Sequence, residues 1–308
     1  MKALRIHGFS TPDLAVLEDI AVPLPPVAGQ VAVRIEAASI NPLDLKILSG
    51  AMQAVFPIRL PYTLGTDFAG VVQAVGPQAA GFRPGDRVAG RLEPTAGGAL
   101  AQAALVPATA LSLLPEGVAF EQAAALPTAA GTAWLALFGV GRLQAGQRVL
   151  VHAGAGGVGS FAVQLVRQAG AQVIATASPE KHALVAQLGA HSVLDYRTEG
   201  LEHGARDLDL VIDTVGGQAT ERSWPLLRPG GRLVSVVDHA IQGQGGVQGA
   251  FAFFQHDARV LDGIVARLAA GQLQAVLDSV HPLEAAGAAL AHLARGHARG
   301  KVVVQMPR

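Results

Sequence analysis

Residues 148–168 read RVLVHAGAGGVGSFAVQLVRQ, which is an apolar strand, a glycine-rich turn and the start of a helix. The turn carries Gly154, Gly156 and Gly159 in the spacing G-x-G-x-x-G. Such glycines permit a tight turn, let a pyrophosphate approach the backbone, and allow the helix to pack closely on the sheet. The free N–H groups and the positive end of the helix then favour bound phosphate. The segment therefore predicts dinucleotide binding, with two alternatives: a glycine-rich connection that binds nothing, and the loop of a methyltransferase.

Strands and helices alternate from about residue 120 onward. Segments typical of strands cover residues 149–152, 173–177, 193–195, 210–215 and 233–237, and helical segments cover residues 158–168, 181–188 and 220–227. An alanine-rich helix is expected at residues 123–139. Strands that alternate with helices of about ten residues are typical of a parallel sheet covered by helices. The mean hydropathy of +0.37, which comes from abundant Ala, Val and Leu, fits that architecture.

The first hundred residues are β-rich instead. Residues 31–37 (VAVRIEA) alternate between apolar and polar side chains, residues 68–75 form another strand, and Gly and Pro mark the turns between such segments. Short strands at this spacing suggest a compact, partly open barrel or sandwich. The end of the chain predicts helices at 258–270 and 283–295 and a strand at 301–306, which we expect to return to the first domain and complete its sheet.

Charge and cysteine content exclude several classes of function. The 308 residues include 23 basic and 23 acidic side chains, so the net charge is zero and nucleic acid is not an expected partner. The chain has no cysteine, which excludes disulfides, thiolate nucleophiles and cysteine zinc sites. No uncharged apolar run approaches the roughly 18 residues of a membrane helix, and the first residues do not resemble a signal peptide. We expect a cytoplasmic protein without a membrane partner.

The end of the second strand in the alternating region bears on the choice of cofactor. An NAD site normally ends this strand with Asp or Glu, which accepts a hydrogen bond from the ribose 2′-hydroxyl. Here the strand ends in Thr176-Ala177-Ser178, and no acid precedes Glu180. Ser178 and Lys181 supply a hydroxyl and a cation for a 2′-phosphate, so NADP is the expected cofactor. Lys181 taken alone is equally well a solvated residue at the start of a helix.

Four segments together resemble the medium-chain dehydrogenase/reductase superfamily, specifically its zinc-free quinone oxidoreductase branch, which includes zeta-crystallin. They are residues 38–46 (ASINPLDLK), 65–90 (GTDFAGVVQAVGPQAAGFRPGDRVAG), 126–133 (LPTAAGTA) and 152–171, which continues from His152 as AGAGGVGSFAVQLVRQAGA. The resemblance implies an α/β protein with two domains. A GroES-like β-rich catalytic domain is expected at residues 1–122, completed by residues 265–308, and a Rossmann NADP-binding domain with a doubly wound parallel sheet at residues 123–264. The resemblance also implies a homodimer, joined through a sheet edge at residues 231–237.

The resemblance assigns roles to individual residues. Asn41 matches the asparagine of the branch's Asn-Pro-x-Asp motif, which lies near the nicotinamide, and Asp44 matches the acid of that motif. Thr132 resembles the threonine that holds the nicotinamide carboxamide, and Tyr196 pairs with Lys181 at the 2′-phosphate. The residues expected to hold the pyrophosphate are Gly154, Gly156, Gly157, Val158 and Gly159. Asn41 has a structural alternative, because Asn before Pro is a common turn residue, and Asp44 could serve only to order that loop.

Two positions depart from the zinc-dependent members of the superfamily. Those members place Cys where Asn41 stands and His-Glu where this chain has Thr66-Asp67. Their structural zinc lobe, built from closely spaced cysteines, has no counterpart in a chain without cysteine. These replacements cannot form a tetrahedral nitrogen and sulfur site, and His292 and His297 are five residues apart rather than four. We therefore expect no metal.

Without a Lewis acid, the substrate must bring its own activation. Quinones, enones and enals accept hydride at a carbon whose negative charge spreads to a carbonyl oxygen, so the protein mainly supplies positioning and an apolar slot. The Asn41 amide and Tyr62 are candidate pocket groups, although a Pro-Tyr loop is often an amphipathic cover on the core. Phe253 and Phe254 line the slot or belong to the core. The expected activity is NADPH-dependent reduction of a quinone or an α,β-unsaturated carbonyl (enone), and the alternative is a non-catalytic, crystallin-like NADPH-binding protein.

Overall fold

The computed structural model describes residues 1–9, 11–22, 25–197 and 201–307. The chain divides into two compact units. Unit 1 comprises Met1–Thr128 and His256–Arg308, and unit 2 comprises Ala129–Gln255. Each unit contains its own hydrophobic core.

The helices and strands follow one another along both units. In chain order, the strands are β1 (Lys2–Ile6), β2 (Val16–Asp19), β3 (Gln30–Ile40), β4 (Tyr62–Thr63), β5 (Asp67–Val75), β6 (Arg87–Arg91), β7 (Ala103–Pro107), β8 (Leu111–Leu113), β9 (Arg148–Val151), β10 (Gln172–Ala177), β11 (Ser192–Asp195), β12 (Leu208–Asp213), β13 (Leu227–Ser235), β14 (Gln248–Phe251), β15 (Leu277–Pro282) and β16 (Lys301–Gln305). The helices are α1 (Pro42–Leu48), α2 (Phe120–Ala124), α3 (Pro127–Trp134), α4 (Gly157–Gln168), α5 (His182–Gln187), α6 (Leu201–Gly204), α7 (Gln218–Ser223), α8 (Ala258–Ala269) and α9 (Ala286–Ala294).

Unit 1 is built on a mixed sheet with the order β15-β16-β3-β5-β6-β8, in which β7 also pairs with β3. A smaller sheet has the order β2-β1-β4. Strand β16 runs antiparallel to β3, with Val302 opposite Ile40, and parallel to β15 on its other side. Its first four residues are buried, as suits the run KVVV in a strand covered on both faces. A strand from near the end of the sequence therefore lies inside the sheet of the first domain.

Unit 2 is built on a parallel sheet with the order β11-β10-β9-β12-β13-β14. Its strands are short apolar runs such as RVLV and LDLVID, which parallel sheets buried on both faces require. The strand order reverses at β9, between β10 and β12, and ligands of such sheets bind at the carboxyl ends of the strands there. The predicted fold class, a GroES-like β-rich domain with a parallel Rossmann sheet, is confirmed.

Two local predictions are wrong. The helix expected at residues 123–139 is interrupted, because α2 ends at Ala124, α3 begins at Pro127, and a π-helical turn follows at Leu135–Val140. Proline lacks an N–H group and suits the first position of a helix, so it starts a new helix here. The expected sheet edge at residues 231–237 is also wrong, because β13 lies between β12 and β14. The edge strand is β14, whose short sequence QGAF gave no strong signal.

The two units meet in the sequence after Thr128 and after Gln255, whereas the domain boundaries were expected after residues 122 and 264. Helix α2 packs against β3 and β5, and Thr128 donates hydrogen bonds to Asp67, so the segment up to Thr128 is held by unit 1. Helix α8 packs against β8, so the whole of that helix belongs to unit 1. Within the described ranges, no helix is both long and apolar enough to cross a membrane.

Candidate cofactor and substrate sites

The glycine turn of unit 2 joins β9 to the N-terminus of α4. A Cβ atom added at Gly154 would lie 2.8 Å from the Cβ of Ala175 in β10, and one added at Gly159 would overlap the carbonyl oxygen of Ala153. Both glycines are therefore required by close packing of the turn and the helix. The N–H groups of Gly157, Val158 and Gly159 belong to the first turn of α4, where a helix supplies no acceptors of its own. The turn thus fits a pyrophosphate, which would accept hydrogen bonds from these groups.

One residue of the glycine turn has a left-handed backbone although the sequence does not mark it. Ala153 has a φ of 48°, in the left-handed region that favours glycine, whereas Gly154 and Gly156 have no positive φ. Thr176 holds this residue in place, because its hydroxyl oxygen accepts from the Ala153 N–H at 3.1 Å and its carbonyl accepts from the Gly154 N–H at 2.8 Å. The end of β10 therefore fixes the shape of the glycine turn.

His152 lies directly before this turn and is 2% exposed. The Ser223 hydroxyl donates to the Ala219 carbonyl at 2.6 Å, so it must accept from His152 Nε2, which lies 2.8 Å away. Nε2 therefore carries the proton, and Nδ1 accepts from the Thr176 hydroxyl at 3.2 Å. Burial lowers the pKa of His152 to about 4. The imidazole is thus a neutral bridge that links the glycine turn to α7.

The candidate 2′-phosphate residues follow two adjacent strands of unit 2. Ala177 is paired with Asp195, so Ser178 and Tyr196 follow neighbouring strand ends, and Lys181 lies in the turn after Ser178. Tyr196 is 51% exposed, which leaves its ring accessible. The residues expected around a 2′-phosphate thus emerge at one corner of the sheet.

An acid also reaches this corner. The Ser178 hydroxyl donates to Glu180 Oε1 at 2.5 Å, and this hydrogen bond lowers the pKa of Glu180, with smaller contributions from the charges of Arg197 and Lys181. Arg197 in turn is paired with Asp195 at 3.1 Å. The sequence places Glu180 two residues beyond Ser178, and the short turn Pro179–Lys181 returns its carboxylate to that residue.

Asp213 organises the turn after β12, on the other side of β9. It is fully buried, and its Oδ1 accepts from the N–H groups of Val215 and Gly216 at 2.9 and 2.8 Å. Its Oδ2 accepts from the hydroxyls of Thr220 and Ser235 at 2.7 and 2.9 Å. Sequence reasoning missed this residue, although an acid that ends an apolar strand before Thr-Val-Gly-Gly was a usable signal.

The other predicted residues of unit 2 lie on α3 or beside it. Thr132 is on α3 and is 7% exposed. Phe254 packs against the same helix, because a Cβ added at Gly131 would come within 2.6 Å of its ring, whereas Phe253 is 45% exposed. The two phenylalanines therefore have different environments, with Phe254 partly buried against α3 and Phe253 near solvent.

A buried polar cluster lies at the ends of three strands in unit 1. We call it the Asn41 cluster, and its members are Asn41, Asp44, Asp67, Arg91, Thr128 and Lys301. Asn41 follows β3, Asp67 begins β5 and Lys301 begins β16. Asn41 Nδ2 donates to Asp67 Oδ2 at 3.1 Å, and Lys301 Nζ donates to Asn41 Oδ1 and to the Ile40 carbonyl, the latter at 3.0 Å.

Asp67 is the main acceptor of the Asn41 cluster and is fully buried. It accepts from the Thr128 N–H at 3.0 Å and from the Thr128 hydroxyl at 2.6 Å, and Arg91 Nε lies 3.9 Å from its Oδ1. Arg91 also donates to the Thr128 hydroxyl oxygen at 3.0 Å. Basic and acidic side chains thus lie together in the buried cluster, where opposite charges compensate part of the cost of burial.

Asp44 sits in the first turn of α1, and its Oδ2 accepts from the Asn41 N–H at 2.7 Å. Its Oδ1 is buried and has no hydrogen-bond partner among the described residues. Burial raises the pKa of Asp44 to about 7, against the opposing effect of the hydrogen bond from Asn41. The structure therefore brings Asn41 and Asp44 together as a capping pair for α1.

Tyr62 does not point its hydroxyl at Asn41. The hydroxyl donates to the Pro94 carbonyl at 2.7 Å, and the residue is 3% exposed. A Cβ added at Gly97 would overlap the tyrosine ring. Burial also raises the pKa of the Tyr62 hydroxyl, so the ring has the environment of a core residue with a satisfied polar end.

Sequence reasoning missed Lys301, Arg91 and Thr128. The chain has four lysines, and one of them opens the apolar strand KVVVQ, which was a signal for a buried cation with a specific partner. Within the part of the chain that the structure describes, no group of three His, Cys, Asp or Glu residues is placed to hold a metal ion.

Two family models match the chain. Residues 27–116 match the alcohol dehydrogenase GroES-like domain, and residues 188–304 match a zinc-binding dehydrogenase model. The human mitochondrial NAD(P)H oxidoreductase RTN4IP1 is 31% identical over 339 residues, which cover 95% of this chain and 86% of the relative. Erythronolide synthase EryA2 from Saccharopolyspora erythraea is 37% identical over 91% of this chain, but the match spans only 8% of that much longer protein.

Solved structures are similar over the whole chain. The quinone oxidoreductase from Coxiella burnetii has a TM-score of 0.92 and 31% identity, with 100% of this chain and 99% of that chain covered. The Escherichia coli quinone oxidoreductase complexed with NADPH has a TM-score of 0.88 and 26% identity, with 99% and 100% covered. The CurK enoyl reductase has a TM-score of 0.86 and 28% identity, with 99% of each chain covered.

Proposed function

The chain belongs to the medium-chain dehydrogenase/reductase superfamily, in its zinc-free quinone oxidoreductase branch, and from this premise we propose that it reduces quinones or α,β-unsaturated carbonyls with NADPH and without zinc. The observation that carries the proposal is the glycine turn at the switch point of the parallel sheet, where two glycines admit no Cβ. Two similar structures are quinone oxidoreductases and a third is an enoyl reductase, which supports both acceptor classes.

NADPH is the proposed cofactor, and it supplies the hydride when bound. Strand β10 ends without an acid, and Ser178, Lys181 and Tyr196 emerge together at the corner expected for a 2′-phosphate. The similar Escherichia coli structure is a complex with NADPH, which supports the same choice. Glu180 works against binding of a 2′-phosphate, because its carboxylate already accepts the hydrogen bond from the Ser178 hydroxyl. We therefore propose a preference for NADPH that Glu180 reduces.

The residues of unit 2 hold the dinucleotide in this proposal. The N–H groups of Gly157, Val158 and Gly159 donate to the pyrophosphate, and the turn is kept in shape by Thr176 and His152. The Thr132 hydroxyl binds the nicotinamide carboxamide. None of these groups titrates near neutral pH, because burial lowers the pKa of His152 to about 4.

The residues of unit 1 orient the acceptor in this proposal. As hydride reaches the acceptor carbon, negative charge develops on its carbonyl oxygen, which a fixed N–H donor stabilises. Asn41 Nδ2 has two N–H groups, and Asp67 occupies one of them. The other is the donor that we assign to the carbonyl oxygen. The Tyr62 hydroxyl already donates its hydrogen bond to the Pro94 carbonyl, so in this proposal the proton that completes the reduction comes from water.

The test of this function is cofactor oxidation by the purified, chelator-treated protein. We expect oxidation of NADPH well above that of NADH in the presence of an ortho-quinone, a para-quinone or a simple enone, with no loss after chelation. Gly159→Ala should abolish NADPH binding, because its Cβ would overlap the Ala153 carbonyl. Tight NADPH binding without turnover of any acceptor would overturn the proposal and favour the non-catalytic NADPH-binding alternative.

We further propose a homodimer that forms through the edge strand β14. An edge strand presents unpaired N–H and C=O groups, which a second copy of the same strand can satisfy. Light scattering on the purified protein measures the mass directly, against 31.5 kDa for one chain. Replacing Phe251 in β14 by proline should yield the monomer, because the Ala252 N–H donates to Ser235 in β13 and the N–H of the preceding residue therefore points away from β13. A monomeric unsubstituted protein would contradict the proposal.

A further inference from the structure

Lys301 is a buried cation that the proposed reaction has not yet used. It is 4% exposed, and its Nζ donates to the Ile40 carbonyl at 3.0 Å and to Asn41 Oδ1. Burying a lysine ammonium is costly unless hydrogen bonds and opposite charge compensate it. Both compensating contacts are at the end of β3, where Asn41 is placed. Strand β16 thus places a basic side chain next to the side-chain amide of Asn41.

The Asn41 amide is held at both ends by groups of opposite character. Its Oδ1 accepts from the Lys301 ammonium, and its Nδ2 donates to the Asp67 carboxylate at 3.1 Å. A flip of the amide would place N–H groups against the ammonium and the oxygen against the carboxylate, so one orientation is strongly favoured. In that orientation, one Nδ2–H remains, and no acceptor for it is found among the described residues.

We propose that Lys301 is a positioning residue that locks the Asn41 amide, so that its second Nδ2–H is held ready for the carbonyl oxygen of the acceptor. This inference rests on the proposed function. The ammonium also places a positive charge one amide away from the oxygen on which negative charge develops. Burial lowers the pKa of Lys301, and the Asp67 and Asp44 carboxylates oppose that effect.

The first test observes the amide itself and needs no turnover. Asn41 is the only asparagine in the chain, so a protein grown with ¹⁵N-asparagine shows a single side-chain NH₂ group by NMR. We expect two well-separated proton resonances in the unsubstituted protein, and their collapse or displacement in Lys301→Met. Val303→Ala is the control, because it removes a buried side chain from the same strand without touching Asn41. An unchanged Asn41 signal in Lys301→Met would overturn the proposal.

The second test separates positioning from stability. Lys301→Met should lower kcat for the quinone or enone by about tenfold to a hundredfold, because a misplaced donor loses its effect on the transition state. The KM for NADPH should change by less than about threefold, because the residues proposed to hold the pyrophosphate and the 2′-phosphate are on unit 2. Val303→Ala, with comparable loss of stability, should retain kcat. Equal kcat values for the two variants would refute a role in positioning.

The third test asks whether the charge is what matters. Because the chain has no cysteine, Lys301→Cys carries a single thiol, which 2-bromoethylamine converts in denaturant to an ammonium side chain of lysine length. We expect the refolded, aminoethylated protein to recover kcat and the Asn41 resonances. The n-propylated protein is the neutral control of the same length, and equal recovery by both would overturn the proposal.

Failure of this inference differs from failure of the proposed function. If the unsubstituted protein turns over no acceptor, the proposed function fails, and the NMR experiment still decides whether Lys301 orients Asn41. If turnover is seen but Lys301→Met leaves both the resonances and kcat unchanged, only the inference fails.

Discussion

His152 shows how one buried residue makes the stability of the chain depend on pH. Its pKa of about 4 in the folded state is below the value of about 6.5 for an exposed histidine. Between these two values the unfolded chain binds more protons than the folded chain, so this contribution to stability is complete above pH 6.5 and is lost as the pH falls to 4. Because His152 braces Thr176, the same acid titration loosens the glycine turn.

We predict that His152→Gln weakens this acid sensitivity. The free energy of unfolding of the unsubstituted protein should fall between pH 7 and pH 4 by on the order of 3 kcal/mol more than that of the variant. Urea unfolding at the two pH values measures the difference, and exposed His239→Gln is the control. Asp44, with its pKa raised to about 7, changes stability in the opposite direction, so only the comparison between proteins is informative. Equal pH dependence in all three would contradict the assignment.

Glu180 sets the cofactor preference in a predictable direction. Glu180→Gln should raise the ratio of NADPH to NADH affinity by up to about fivefold, because it removes the negative charge beside Ser178. Fluorescence titration of both cofactors measures the ratio. Exposed Glu116→Gln in unit 1 controls for the loss of one charge. A ratio that falls in Glu180→Gln would show that the carboxylate does not oppose the 2′-phosphate.

The sequence alone predicts some of these residues and not others. Asn41 and Asp44 are recognisable because they belong to one short motif. Lys301 joins Asn41 across 260 positions of sequence, so only the pairing of β16 with β3 brings them together. The left-handed φ of Ala153 cannot be predicted from the sequence for another reason, because contacts with Thr176 hold it and the alanine side chain does not favour it.

At the level of helices and strands, periodicity predicts what is long and regular. The alternation from residue 148 predicts the parallel sheet, because its strands are apolar runs separated by amphipathic helices. It does not predict β4 or β14, which are short and gain their stability from neighbouring strands. The alanine-rich segment around Pro127 has the helix propensity of one continuous helix, but Pro127 divides it because proline cannot continue a helix from the preceding turn.

Helix α8 offers a test of helix propensity within this fold. Gly263 lies inside the helix, and an added Cβ would meet only Arg267 Nη1, at 3.5 Å. We expect Gly263→Ala to stabilise the protein by about 0.5–1 kcal/mol in urea unfolding. Gly131→Ala in α3 is the contrasting control, because its Cβ would lie within 2.6 Å of the Phe254 ring and should destabilise. Destabilisation by Gly263→Ala would contradict the packing described for α8.

At the level of the whole molecule, ligand binding should be visible as stability. NADPH at about a hundred times its dissociation constant should raise the free energy of unfolding by about 3 kcal/mol, because it binds only the folded chain. Thermal unfolding with and without NADPH measures this. S-adenosylmethionine, which has no pyrophosphate, is the control ligand. Stabilisation by S-adenosylmethionine and not by NADPH would favour the methyltransferase alternative.

The position of β16 has a consequence for how the protein is made. Unit 2 is a continuous stretch of chain, so it can fold on the ribosome as soon as its last strand has emerged. The sheet of unit 1 cannot be completed until β16 has been made, because β16 lies between β15 and β3 and follows the other strands of that sheet in the sequence. Until then the nascent chain exposes the open edge of β3, which is where a chaperone would be needed. The same strand carries Lys301, so the Asn41 cluster is assembled only after β16 has been made.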